Sequence, residues 1–109
     1  MPHIIVEYSA ALDGEIPALL TTLHDTLAAE GIDKARIKTR GVPLPHAVVG
    51  DNGLGGKMLH ATLLLLEGRD VATKKQYADP LHAAMKAAAP ENCAVTLEVR
   101  DMAADTYYL

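Results

Sequence analysis

The chain has 109 residues, half of them apolar and 22% charged, a composition that suits one folded domain and excludes a disordered segment. Its formal charge of −4, with Lys and Arg scattered, argues against a nucleic-acid surface and against binding to an anionic membrane. The single cysteine, Cys93, cannot form an intrachain disulfide, and Trp and Phe are absent, so the core must be built from aliphatic side chains.

The opening Met1-Pro2-His3-Ile4-Ile5-Val6-Glu7 has no cationic n-region and is interrupted early by Glu7, unlike a signal peptide. His3 to Tyr8 is rich in β-branched residues and reads as a strand. After Asp13-Gly14, apolar Ile16, Leu19, Leu20, Leu23 and Leu27 recur at helical spacing, with Pro17 in the first turn and Gly31 placed to end the helix. Arg36 to Arg40 alternates charged and β-branched residues, as a half-exposed strand does. Residues 41–57 are dense in Pro and Gly. Asp51-Asn52-Gly53 is a tight-turn signal there, and Ala47 to Val49 is a candidate hairpin arm beside it.

A second unit follows the same plan. Met58 to Leu66 is a strand candidate that is apolar on both faces. Asp70 can cap a helix carrying Val71, Ala78, Leu81 and Met85, and Asp79-Pro80 marks a point where that helix can kink or divide. Ala94 to Arg100 alternates again and closes the unit. The chain therefore reads as a single α/β domain over 1–109, with pseudo-repeat halves of about 1–56 and 57–109. Each half is expected to be a parallel β-α-β crossover, and the whole a four-stranded sheet with two helices on one face. The second face of the leucine-rich third strand then lacks a cover within the chain, so packing between subunits is expected. The longest apolar run, near Leu63 to Leu66, is too short to span a bilayer, and a cytoplasmic protein is the expectation.

Familiar chemical motifs are absent: there is no GxGxxG, P-loop, HExxH or GxSxG, and Gly53-Leu54-Gly55-Gly56 reads as turn material. The five histidines show no metal-ligand spacing, so no metal is expected. His24 and His82 read as solvated helix residues, His3 and His60 as structural residues at equivalent strand starts, and Cys93 as a packing residue. What remains is Pro2. Removal of Met1 would leave it as a secondary amine at a rigid strand start, a general base if burial and neighbouring cations draw its pKa down. Lys38, Arg40 and Arg69 are the candidate cations. Lys38 and Arg40 share one face of their strand by its period of two, and Arg69 lies at the N-terminal edge of the second helix. With Met1 in place the Pro2 nitrogen is an amide without useful basicity, and Met1 is expected beside Arg40 or Arg69 in a concavity.

Pro2-His3-Ile4-Ile5-Val6-Glu7 resembles the start of the 5-carboxymethyl-2-hydroxymuconate isomerases of the tautomerase superfamily. Leu27-Ala28-Ala29 with Gly31-Ile32, Ile37-Lys38-Thr39-Arg40, His60 with Thr62-Leu63, Gly68-Arg69, and the strand Val95 to Val99 extend that resemblance collinearly over nearly the whole chain. The resemblance implies a tautomerase-like fold, a homotrimer, no cofactor, a place in aromatic catabolism and a small anionic 2-hydroxydienoate or 2-oxo acid as substrate. It also implies Pro2 as base, with Arg40 and Arg69, joined by Lys38, binding carboxylate and polarising the adjacent carbonyl. Lys38 stands where the family often has Arg, and 41–57 lacks the aromatic residues of the isomerase. Other activities of the superfamily (dehalogenase or decarboxylase) and a non-catalytic oligomeric β-α-β ligand-binding module are the alternative readings.

Overall fold

A computed structural model describes all residues, 1–109. The first half runs β1 (His3–Ser9), α1 (Ile16–Ala29) and β2 (Lys38–Leu44). The second runs β3 (Lys57–Leu66), α2 (Val71–Ala88) and β4 (Cys93–Met102). The sheet has the order β2-β1-β3-β4. β1 is parallel to β2 and β3 to β4, as two β-α-β crossovers demand, and the halves meet through antiparallel β1 and β3.

Strand alternation decides what each face does. Ile4, Val6 and Tyr8 of β1 and Leu59, Ala61, Leu63 and Leu65 of β3 point to the helices and are buried. They meet Ile16, Leu19, Leu23 and Leu27 of α1 and Leu81 and Met85 of α2 in one core. On the opposite, open face, Met58, Leu64 and Leu66 of β3 are only half-buried. No helix is long and apolar enough to cross a membrane.

The helix ends follow their sequence signals. Pro17 lies in the first turn of α1, and Gly31, with φ of +96°, takes the left-handed conformation after its end. Asp70 caps α2 by accepting from the Thr73 amide at 2.9 Å. Three details depend on tertiary context. α2 continues through Pro80 instead of dividing. The carbonyl that Pro80 leaves without a helical donor belongs to Gln76, an exposed position where water can serve it, while Leu81 and Met85 hold the helix to the core. The second strand begins at Lys38, not Arg36, and runs on through Pro43. As an edge strand, β2 has a side with no partner, and a proline is tolerated there. Ala47 to Val49 forms no hairpin arm. Gly53, with φ of +62°, folds the segment into short 3-10 turns in which the Val49 amide donates back to the Gly53 carbonyl at 3.0 Å.

Leu63 has no solvent exposure and sits at the centre of this core. Leu63→Ala should lower unfolding free energy by about 2–5 kcal/mol, with the denaturant slope unchanged, in a urea titration. A loss under about 1 kcal/mol would show that the core relaxes around the deletion.

Candidate active site

The N-terminus is built into the sheet. Pro2 is buried, and its carbonyl accepts the Lys38 amide at 3.1 Å, extending the β1–β2 ladder by one bond. The Met1 amine donates to the Arg36 carbonyl at 3.0 Å, and the Lys38 ammonium donates to that same oxygen, also at 3.0 Å. One carbonyl thus draws two cationic groups together. Burial lowers the amine's pKa, and hydrogen bonding and repulsion from Lys38, then Arg36, lower it further.

These groups border a cavity of about 460 Å³ lined by Met1, Pro2, Gly31, Ile32, Asp33, Arg36, Leu65, Leu66, Arg69 and Tyr77. The β1–β3 register explains its position. His3 lies opposite Leu64, so Pro2 sits beside the end of β3, where the chain turns through Gly68 to Arg69. Arg69 is half-buried and doubly held. One Nη1 donates to the Leu66 carbonyl at 3.1 Å, and the guanidinium carbon lies 5.9 Å from the Tyr77 ring centroid. Its other donors remain for an anion. Arg36 is held loosely, with Nε 3.8 Å from an Asp33 carboxylate oxygen at an exposed position.

Pro2 and Arg69 therefore line one cavity, with Met1 in it and the Lys38 ammonium beside the Met1 amine. Arg40 is elsewhere. By strand alternation it lies on the open face, where its Nη1 donates to His3 Nδ1 at 3.0 Å, and it does not line the Pro2 cavity. Arg36 and Tyr77 escaped the sequence reading. Tyr77 could have been found from its i, i+4 relation to Leu81 and Met85, which aims it at the core side of α2. Arg36 carried no such signal, because it lies in the turn Lys34–Arg36 that Asp33 caps from outside β2.

His3 is not a lone strand residue either. Its Nε2 is 2.8 Å from the Tyr107 hydroxyl, which ties the C-terminal segment to the start of β1. His24 and His60 each bond a threonine hydroxyl, Thr39 and Thr96, at 2.8 and 2.7 Å. Burial raises the Cys93 thiol pKa, which fits a packing role. No group of three or more His, Cys, Asp or Glu side chains could hold a metal ion.

Buried Pro2, cationic donors and an apolar wall thus meet at the end of a tandem β-α-β sheet. The fold is that of the tautomerase-like isomerases, and the comparisons agree with it. The sequence matches the family of 5-carboxymethyl-2-hydroxymuconate isomerase over residues 2–108, and the chain belongs to that family. It is similar to the crystal structure of a 5-carboxymethyl-2-hydroxymuconate isomerase from Deinococcus radiodurans R1, with TM-score 0.88 and 23% identity over 99% of this chain and 87% of that one. A 5-carboxymethyl-2-hydroxymuconate delta-isomerase superposes with TM-score 0.75 and 23% identity, over 100% of this chain and 87% of the other. A fused 4-OT wild-type symmetric trimer gives TM-score 0.75 at 14% identity, covering 93% of this chain and 87% of its own. Among curated proteins, none matches by sequence.

Because Lys38 lowers the pKa of the N-terminal amine, Lys38→Met should raise it toward the ordinary value of 8.0. An NMR titration of the isotopically labelled amine reads the change. An unchanged midpoint would mean that burial and Arg36 set the value without Lys38.

Proposed function

We propose that the protein is a cofactor-independent isomerase that moves a proton within a small anionic 2-hydroxydienoate or 2-oxo acid of the 5-carboxymethyl-2-hydroxymuconate kind, with Pro2 as general base. The observation that carries this reading is the placement of Pro2: buried, at a strand start, in a cavity that also holds Arg69. While Met1 is attached, the Pro2 nitrogen is an amide, and Met1 fills space that a substrate needs. Once Met1 is removed, Pro2 becomes a secondary amine close to the groups that depress the Met1 amine, so the same field favours its neutral, basic form.

In this mechanism Pro2 takes a proton from the 2-hydroxyl or from an allylic carbon. The electron pair left behind shifts along the conjugated system, and the proton returns from Pro2 at the far end, so the amine is regenerated. Arg69 holds a substrate carboxylate, with its orientation fixed by the Leu66 carbonyl and the Tyr77 ring. Lys38 contributes a point charge beside the base. Arg40 stabilises developing oxyanion charge from the open face, at a boundary between subunits. A homotrimer in the cytoplasm completes the reading. The half-buried apolar side chains of β3 on the open face support the assembly, as does the fold shared with a symmetric trimer.

Pro2→Ala should abolish isomerisation of 2-hydroxydienoates followed by ultraviolet absorbance, and active preparations should weigh the chain without Met1. Full activity from molecules that all retain Met1 would rule Pro2 out as the base.

Arg69→Ala should weaken turnover of dicarboxylates more than of monocarboxylates, by about 2–5 kcal/mol in kcat/KM where the contact is desolvated. Equal losses on both substrate types, or none, would exclude a carboxylate clamp at Arg69. Sedimentation at micromolar concentration should give a trimer, and a stable monomer would remove Arg40 from the site.

A further inference from the structure

His3 joins two side chains that come from opposite ends of the chain. Its Nδ1 lies 3.0 Å from Arg40 Nη1, and its Nε2 lies 2.8 Å from the Tyr107 hydroxyl. A guanidinium has no acceptor, so Nδ1 must accept from Arg40 and therefore carries no proton. The imidazole hydrogen then sits on Nε2 and is donated to the Tyr107 oxygen. The three groups form a directed chain, Arg40 to His3 to Tyr107, that works only with His3 neutral. The tyrosine and histidine rings also meet edge to face, with centroids 5.9 Å apart and planes at 75°.

Tyr107 does not reach His3 by chance of a free tail. The Glu67 amide donates to the Met102 carbonyl at 3.0 Å, and the Glu67 carboxylate accepts the Ala104 amide in a short bond. The segment after β4 is thereby pinned to the end of β3 before the turn Ala104–Thr106 carries Tyr107 across to β1. Nothing in the packing of the core requires this. Tyr107 belongs to no part of the buried cluster, and Arg40 is exposed.

We propose that His3 and Tyr107 are positioning residues that hold the Arg40 guanidinium in its working orientation, with Tyr107 fixing the histidine tautomer that Arg40 needs. The inference rests on Arg40 acting on substrate, as in the reading above. Protonation of His3 would give both ring nitrogens hydrogens, remove the acceptor and set a cation against Arg40. The surroundings oppose that: burial first, then Arg40, the N-terminal amine and Lys38 all lower the His3 pKa. From β3 the residue opposite is the uncharged Leu64, and on β4 Arg100 is engaged by Glu98 at 2.9 Å. No carboxylate shifts the ring in the other direction. The orientation of Arg40 is thus secure above the lowered His3 pKa and lost as pH falls through it.

The test uses the assembled full chain. Nitrogen-15 NMR of the imidazole should show the Nε2–H tautomer at neutral pH, and Arg40→Ala should move the His3 midpoint upward by removing a cation. In kinetics, His3→Leu and Arg40→Ala should each lower kcat/KM about ten- to 100-fold, the range for a hydrogen bond to a charged group. The double variant should be no worse than either single one, because each change removes the same effect. His3→Asn, whose Oδ1 stands near the place of Nδ1, should recover much of the His3→Leu loss, whereas His3→Gln should not. Tyr107→Phe removes an acceptor that an imidazolium would use more strongly than the neutral ring, so it should shift the acid limb of the pH–rate profile to lower pH while releasing the Nδ1–H tautomer and lowering the plateau. An Nδ1–H tautomer, a His3 charged at neutral pH, or additive losses in the double variant would each overturn the proposal. Failure of the Pro2 reading is seen separately, as undiminished activity in Pro2→Ala. The tautomer and titration are read without turnover and still decide whether the three-residue chain exists.

Discussion

The antiparallel pairing of β1 with β3 is the constraint on which the rest of the molecule depends. Each half alone is a parallel β-α-β unit with one apolar sheet face, and a two-stranded sheet cannot bury enough surface to stand alone. Pairing the two first strands places Ile4, Val6 and Tyr8 beside Leu63, Ala61 and Leu59, so that α1 and α2 cover one continuous apolar surface. The register has a chemical consequence as well. With His3 opposite Leu64, the N-terminus ends level with the end of β3, and the turn through Gly68 brings Arg69 to it from far along the sequence. A slip of one residue would turn every side chain of β1 to the other face and take Pro2 out of its buried position.

The same alternation that builds the core divides the candidate cations. Lys38 and Arg40 were legible in sequence as sharing a face, and on the backbone they do. Function does not follow that face, because the long Lys38 side chain turns back to the Arg36 carbonyl while Arg40 meets His3. A period of two fixes where a Cβ points. It does not fix where a four-carbon stem carries its charge, and that depends on which acceptor is near. Here the acceptor is a carbonyl freed by the turn before β2, which periodicity could not reveal.

The fold was therefore more readable than the site. Four strands, two helices, parallel crossovers and the uncovered face of β3 all follow from local patterns that repeat in both halves. Pro43 within β2 and Pro80 within α2 were harder, since tolerance of a proline depends on whether the lost donor faced a partner. That is a tertiary property. His3 shows the same limit from another side. Its neighbours in sequence mark only a strand start, whereas its two partners lie 37 and 104 residues away. Tyr77 was the recoverable case, since its place on the α2 stripe was available from spacing alone.

A base surrounded by cations poses an apparent conflict, because a low pKa makes a neutral amine available but also a weak one. An anionic substrate resolves it. Burial and Lys38 lower the pKa of the Met1 amine, and on the proposed reading they would do the same for a Pro2 amine freed at that place. A carboxylate bound at Arg69, as proposed, would cancel part of that positive field and add a negative charge nearby, and both changes would favour the protonated amine. On that reading the base would become stronger once substrate is in place. By linkage the converse would hold on that reading: protonating a Pro2 amine would tighten the grip on an anion, so the conjugate acid and the shifted substrate anion would hold each other until the proton is returned. A neutral substrate of the same shape would gain neither effect, so under the proposed mechanism the cavity's charge would select for acids through the chemical step as well as through binding.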